Sequence, residues 1–117
     1  GIEHHDGMQG ESLHSLLCGA QPLNKHRTSV YCEFYNGEPK PGGTSLFSTM
    51  VFDGRHKLIR LHASDEGELY DLQEDRRETN NLWNRPECAS IKMRMLEIMC
   101  DRMAWTVDPN PPKTAPW

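Results

Sequence analysis

A chain of 117 residues with 13 basic and 17 acidic side chains has a formal charge of -4 and an isoelectric point near 5.8. Its scattered Lys and Arg offer no clustered positive field for nucleic acid or an anionic membrane. One domain of this size removes roughly two-thirds of the unfolded surface from water on folding, and no apolar run approaches the roughly 20 residues that span a bilayer.

The amino terminus, Gly1-Ile2-Glu3-His4-His5-Asp6, has neither the charged nor the apolar region of a signal peptide, and the compartment stays unassigned. Residues 1–28 read as an irregular arm around one apolar patch, Leu13-His14-Ser15-Leu16-Leu17, with a short helix that begins near Ser12 and ends at Gly19. Residues 29–117 form the folded unit. Val30, Cys32 and Phe34 alternate with Tyr31, Glu33 and Tyr35, the two-residue period of a strand. Gly37 to Ser45 is dense in Gly and Pro, which break ladders, so a loop follows over Asn36 to Thr49. Phe47 to Phe52 and Arg55 to Leu61 are strands joined by Asp53-Gly54, a pair suited to the positive φ of a tight hairpin. Glu68 to Leu72 returns beside them as a fourth strand, and sequential antiparallel strands make a meander most economically.

The last element is a helix from about Arg85 to Val107. Asn84 is its expected cap, Pro86 suits its first turn and Glu87 has capping-box spacing. Asp108-Pro109-Asn110-Pro111-Pro112 cannot continue it. At 100° per residue, Glu87, Ser90, Arg94, Glu97 and Asp101 form a narrow polar stripe. Ile91, Met95, Leu96, Ile98, Met99, Cys100 and Met103 fill most of the rest, interrupted by Lys92 and Arg102. So wide an apolar arc implies a second buried contact beyond the sheet. Two occupants fit: the loops and tail carrying Trp83, Trp105 and Trp117, or another domain or copy of the chain docked on the helix. The expected architecture is α+β, an antiparallel sheet of about four strands with the long helix packed on one face.

The run Glu68-Leu69-Tyr70-Asp71-Leu72, with Asp75, Glu78 and Asn80-Asn81-Leu82 after it, resembles the carboxyl-terminal subdomain of type I sulfatases, of the alkaline-phosphatase-like superfamily. In that family E-L-Y-D-L-x-x-D-x-x-E-x-x-N-L closes a small sheet and leads into the last helix. Gly7-Met8-Gln9-Gly10-Glu11-Ser12-Leu13, Val30 to Asn36 and Met50 to Ile59 agree, in the family's order. The resemblance implies hydrolysis of sulfuric esters, with a divalent cation, Ca or Mg, and a formylglycine made from C/S-x-P-x-R. No Cys or Ser here stands in that motif. It therefore also implies a catalytic domain of the same protein as partner, no turnover from this chain alone and no catalytic or metal residue in it. Self-association through the last helix is the other partner expected. A phosphodiesterase or phosphonate hydrolase of the same superfamily, or a stand-alone interaction module, are the rival readings.

The four cysteines form no C-x-x-C pair and are expected to be free, buried thiols. Cys88 and Cys100 lie about 18 Å apart along a helix, too far to bridge. His4-His5-Asp6 and His14 do not have converging zinc spacing. Asp71, Asp75 and Glu78 do not fit a calcium loop and read as turn formers that bond their own backbone. Glu33 reads as a solvated or cross-strand-paired carboxylate. Arg55, His56, Lys57, Arg60 and His62 read as ion-pairing across strands with Asp65, Glu66 and Glu68. Function is sought in the loop from Asn36 to Thr49, because rigid strands hold its ends. By the resemblance, Tyr35, Asn36 and Lys40 line the substrate cleft.

Overall fold

The computed structural model describes residues 10–35 and 47–106. In chain order these form α1 (His14–Leu17), a 3-10 turn (Leu23–Lys25), β1 (Val30–Phe34), β2 (Ser48–Phe52), β3 (His56–Leu61), β4 (Gly67–Asp71), a second 3-10 turn (Pro86–Cys88) and α2 (Ala89–Trp105). The strands make an antiparallel sheet in the order β1-β2-β3-β4, the expected meander. Ser12 Oγ accepts the His14 N–H at 3.2 Å, and Gly19, at φ +69, ends the first short helix.

The β2–β3 turn is tight, and Gly54 carries its positive φ of +95. Asp53 supplies a carboxylate rather than a second positive φ. Its Oδ1 accepts the Arg55 and His56 N–H groups at 2.9 and 2.6 Å, and its own N–H donates to the His56 carbonyl at 3.1 Å.

Alternation of side chains along each strand puts Thr49 and Val51, Leu58, and Gly67 and Leu69 on one face, where α2 packs. Val51, Leu58, Leu69, Trp83, Met95 and Met99 are the buried core there. The Thr49 hydroxyl donates to Met99 Sδ at 3.0 Å and so accepts from His62 Nε2–H at 2.9 Å.

α2 begins differently from the sequence expectation. Arg85 is extended (φ -83, ψ 115), as the residue before a proline prefers, and its N–H donates to the Leu82 carbonyl at 3.0 Å. That turn takes the chain through Pro86–Cys88 as a 3-10 segment, and no side chain caps either start, Asn84 included. At the far end Thr106 closes the helix through its N–H and Oγ1, both donating to the Met103 carbonyl; Val107 lies outside the described residues.

The apolar arc of α2 is narrower in the fold than on a helical wheel. Met95 and Met99 are buried, while Ile91, Leu96, Ile98 and Met103 are half-buried. Cys100 is exposed, a correction to its expected place in the arc. The tryptophans do not wrap the helix as a set: Trp83 is buried beneath it, Trp105 is 79% exposed and Trp117 lies outside the described residues.

The cysteines are free as expected but not buried. Cys18, Cys32 and Cys100 are exposed and Cys88 is half-buried. Each exposed thiol sits at the surface: Cys18 at the close of α1, Cys32 on edge strand β1 and Cys100 on an exposed position of α2.

Candidate functional site

Tyr35 is the last described residue before the 36–46 segment, and Phe47 is the first after it; Asn36 and Lys40 lie outside the described residues. The two rings meet edge to face, centroids 5.4 Å apart at 63°, a favoured aromatic geometry. Tyr35 remains 49% exposed. It shares the α2 side of β1 with Tyr31 and Glu33, since residues two apart point the same way. Tyr31 donates its hydroxyl to Glu33 Oε1 at 2.6 Å, so Glu33 is paired along its own strand and not with a cross-strand base. Burial, then the Glu33 carboxylate, raises both the Tyr31 and Tyr35 phenols above their ordinary range.

Register brings His62 to the same end. Its N–H donates to the Phe47 carbonyl at 2.8 Å, and its ring reaches Thr49. Two phenols, a carboxylate, an imidazole and an exposed aromatic edge therefore surround the root of the 36–46 segment. They can donate and accept hydrogen bonds to a polar ligand. They include no activated nucleophile, and no group of three or more His, Cys, Asp or Glu able to hold a metal occurs among the described residues. Of the predicted site, only Tyr35 is placed. Glu33 could have been added from its two-residue spacing, but His62 joins through strand register, which no local spacing announces.

The opposite end of the sheet is a charged knot. Arg55 pairs with Asp71 (Nη2 to Oδ2 2.6 Å), and Arg94 of α2 reaches Asp53 Oδ2 at 2.7 Å. His56, 7% exposed, sits between them. Its Nδ1 accepts from Arg94 Nη2 at 3.2 Å and its Nε2 lies 3.8 Å from Asp71 Oδ2. The Arg55 bond holds the Asp71 carboxyl below its ordinary range. For Asp53, burial works upward, but the His56 and Arg55 amides and the Arg94 charge outweigh it, and the net shift is downward.

These ion pairs differ from the expected ones. Arg55 uses Asp71, Lys57 uses Glu78 (2.6 Å), and Arg60 donates to the Glu66 backbone carbonyl while its guanidinium lies 5.7 Å from the Trp83 ring centroid. All three cations are occupied by structural partners. The reason is tertiary: the 72–79 turn folds back along β3, out of reach of any local pattern.

That turn explains the motif's chemistry. Asp75 Oδ2 accepts the Thr79 and Asn80 N–H groups at 2.7 and 2.8 Å; with Asn80 the leading cause, these bonds lower its pKa despite partial desolvation. Glu78 takes a left-handed φ of +55 and meets Lys57. Asn81 then docks on β4 like a strand. Its Oδ1 accepts the Leu69 N–H (3.1 Å) and Trp83 N–H (2.9 Å), its Nδ2 donates to the Gly67 carbonyl (3.1 Å), and the Leu82 N–H donates to the Leu69 carbonyl (2.8 Å). His4-His5-Asp6, weighed above for metal, lies outside the described residues.

Solved structures share this fold. A putative sulfatase from Bacteroides thetaiotaomicron is 24% identical with a TM-score of 0.78, over 92% of this chain and 22% of that one. A protein solved with its substrate D-glucosamine-2-N,6-O-disulfate is 23% identical (TM-score 0.75, 97% and 23%). A 2-O GAG sulfatase is 25% identical (TM-score 0.73, 86% and 21%). The chain thus spans about a fifth of the length of the structures it matches. No curated protein matches it by sequence. The family described as N-sulphoglucosamine sulphohydrolase, C-terminal, matches residues 1–104, nearly the whole chain, and to that family the chain belongs.

Proposed function

We propose that this chain is the working carboxyl-terminal part of a sulfatase-type hydrolase, which cleaves sulfuric esters, and that it contributes stability and one wall of the substrate cleft. The observation that carries the reading is the family match over residues 1–104, with the sheet, final helix and Asn81 turn all built as one unit. The names of the structural relatives point to sulfated sugars as the substrate class. The parent's formylglycine would supply the nucleophile, and its Ca or Mg the charge on the sulfate oxygens. No Cys or Ser of this chain stands in C/S-x-P-x-R, and no group of three or more His, Cys, Asp or Glu able to hold a metal occurs among the described residues, so both are assigned to the catalytic domain.

We assign the cleft wall to the root of the 36–46 segment, with Tyr35, Asn36 and Lys40 as its substrate-binding residues. Tyr35 offers an exposed ring and a phenol that stays protonated, held against Phe47; Glu33 and His62 stand beside it. Binding residues are often carried on a connecting segment whose ends are held by a rigid sheet. A Lys at position 40 suits an anionic substituent as a point charge.

The test starts from the gene. The coding sequence upstream should contain C/S-x-P-x-R, and the encoded protein should release sulfate from sulfated glucosamines. In it, Tyr35→Ala should raise KM with kcat little changed, the signature of lost uniform binding. An upstream region without the motif, or an encoded protein inert toward sulfate esters, refutes the reading. The rival is a phosphonate hydrolase, favoured by the likeness to a phosphonate monoester hydrolase from Silicibacter pomeroyi at TM-score 0.73 and 23% identity, over 88% of this chain and 22% of that one. Preferential turnover of phosphonate monoesters would select it.

A further inference from the structure

The sheet has two unlike faces. α2 packs over Thr49, Val51, Leu58 and Leu69. On the other face the registered rows place Cys32 beside Met50 and Ile59, Phe34 beside Ser48 and Leu61, and Val30 beside Phe52. Phe34 is 58% exposed and Cys32 is exposed; Met50, Phe52, Ile59 and Leu61 are half-buried. An antiparallel sheet with one wet face alternates apolar and polar residues, whereas strands between two buried layers read as continuous apolar runs. Met50-Val51-Phe52 and Leu58-Ile59 are runs of the second kind. Charge enters this face at Lys57 of β3 and Glu68 of β4, where it is satisfied: Lys57 by Glu78 at 2.6 Å, and Glu68 at 3.1 Å by the hydroxyl of Tyr70, which is buried in the same row as Lys57.

We propose that this sheet face, open over β1 to β3 among the described residues, is the surface on which the catalytic domain of the parent hydrolase packs, leaving the sheet as an inner layer between α2 and that domain. The inference rests on the reading given under Proposed function and adds where the two parts meet. Three observations select this occupant. The surface is apolar and nearly uncharged, which fits a permanent packed interface better than a polar or transient one. The matched structures carry about four-fifths of their length beyond the part this chain covers, ample for a layer to lie on it. Phe34 on this face adjoins Tyr35 on the other, so a domain seated here meets the edge assigned to the cleft wall. The outward side of α2, the docking surface expected from the sequence, suits that role less. Arg94, Glu97 and Asp101 interrupt its exposed Met93 and Trp105.

Two thiols make the test direct, because Cys32 sits within the proposed interface while Cys100 sits on the outward side of α2 and both are exposed in this chain. The parent protein, purified and assayed for hydrolysis, is treated with a maleimide and its labelled peptides are followed by mass spectrometry. Cys32 should react more than roughly tenfold slower than in the denatured parent, protection that burial confers on a thiol, while Cys100 stays reactive. An active hydrolase whose Cys32 labels as fast as when denatured overturns the interface and leaves the functional reading intact. Protection that grows with protein concentration, in step with dimer mass in light scattering, assigns the face to a second copy and also overturns it. A parent that hydrolyses neither sulfate nor phosphonate esters removes the reading beneath it, whatever the thiol shows.

Discussion

Replacing Asn81 by Ala tests whether the motif's second asparagine acts as a strand substitute. Its amide makes three bonds: it accepts from the Leu69 and Trp83 N–H groups and donates to the Gly67 carbonyl, all at 2.9 to 3.1 Å. Leu69, Trp83 and Gly67 are all buried residues. An unsatisfied buried backbone group costs about 1–3 kcal/mol, the lower end applying where water can reach it. β4 is an edge strand, so water partly rescues these groups, and the summed loss works out at about 2–3 kcal/mol. With a urea m-value of ~1.5 kcal/mol per molar, the unfolding midpoint should fall by about 1.3–2 M. Asn81→Asp retains both acceptances and loses the donation to Gly67, so it should fall by roughly half as much. Asn80→Ala, whose neighbouring amide side chain is exposed, should stay within about 0.5 kcal/mol of the parent sequence. Urea titrations followed by far-ultraviolet circular dichroism measure all three. Equal effects at positions 80 and 81, or an Asn81→Ala midpoint unchanged, would refute the account of the motif as a docked strand.

Other expectations follow from single contacts. A Cβ on Gly67 would lie 2.7 Å from three ring carbons of Trp83, so Gly67→Ala should destabilise by about 1–3 kcal/mol through overpacking and shift tryptophan fluorescence; an unchanged spectrum and midpoint would mean the ring yields freely. Asp53, Asp71 and Asp75 have folded pKa values below the ordinary 3.8. The unfolded chain therefore takes up protons first as pH falls. Their contribution is complete well above 3.8 and is lost as pH drops through 3.8 toward the folded values, so the urea midpoint should decline steeply below about pH 4 and a flat profile there counts against it. All three tyrosines, Tyr31, Tyr35 and Tyr70, are raised above 10.0, chiefly by burial and then by Glu33 or Glu68. Phenolate absorbance should thus appear only above that pH in the folded chain. One tyrosine titrating at 10 would contradict the environment described.

The local code of this chain was sufficient for its architecture. Alternation at Val30 to Phe34, the Asp53-Gly54 break between two strand-like runs and the proline-bounded helix gave the meander and its covering helix in order, because each depends on neighbours in sequence. A run as specific as Glu68 to Leu82 also marked the family. Element ends were less legible. Pro86 and the Leu82 to Arg85 turn, rather than an Asn84 cap, decide how α2 begins.

What only the tertiary structure decided involves partners far apart in the chain. Arg94 meets Asp53 across 41 positions, Thr49 meets Met99 across 50, and Lys57 finds Glu78 rather than the nearer Glu66 or Glu68. Hydropathy on a helical wheel treats every apolar side chain alike, so it could not show that Cys100 would be exposed while Met95 and Met99 are buried. The gathering of Glu33, Tyr35, Phe47 and His62 at one end is likewise a product of strand register. Pairing three strands aligns residues that sequence distance keeps apart, and that alignment is a property of the folded sheet alone.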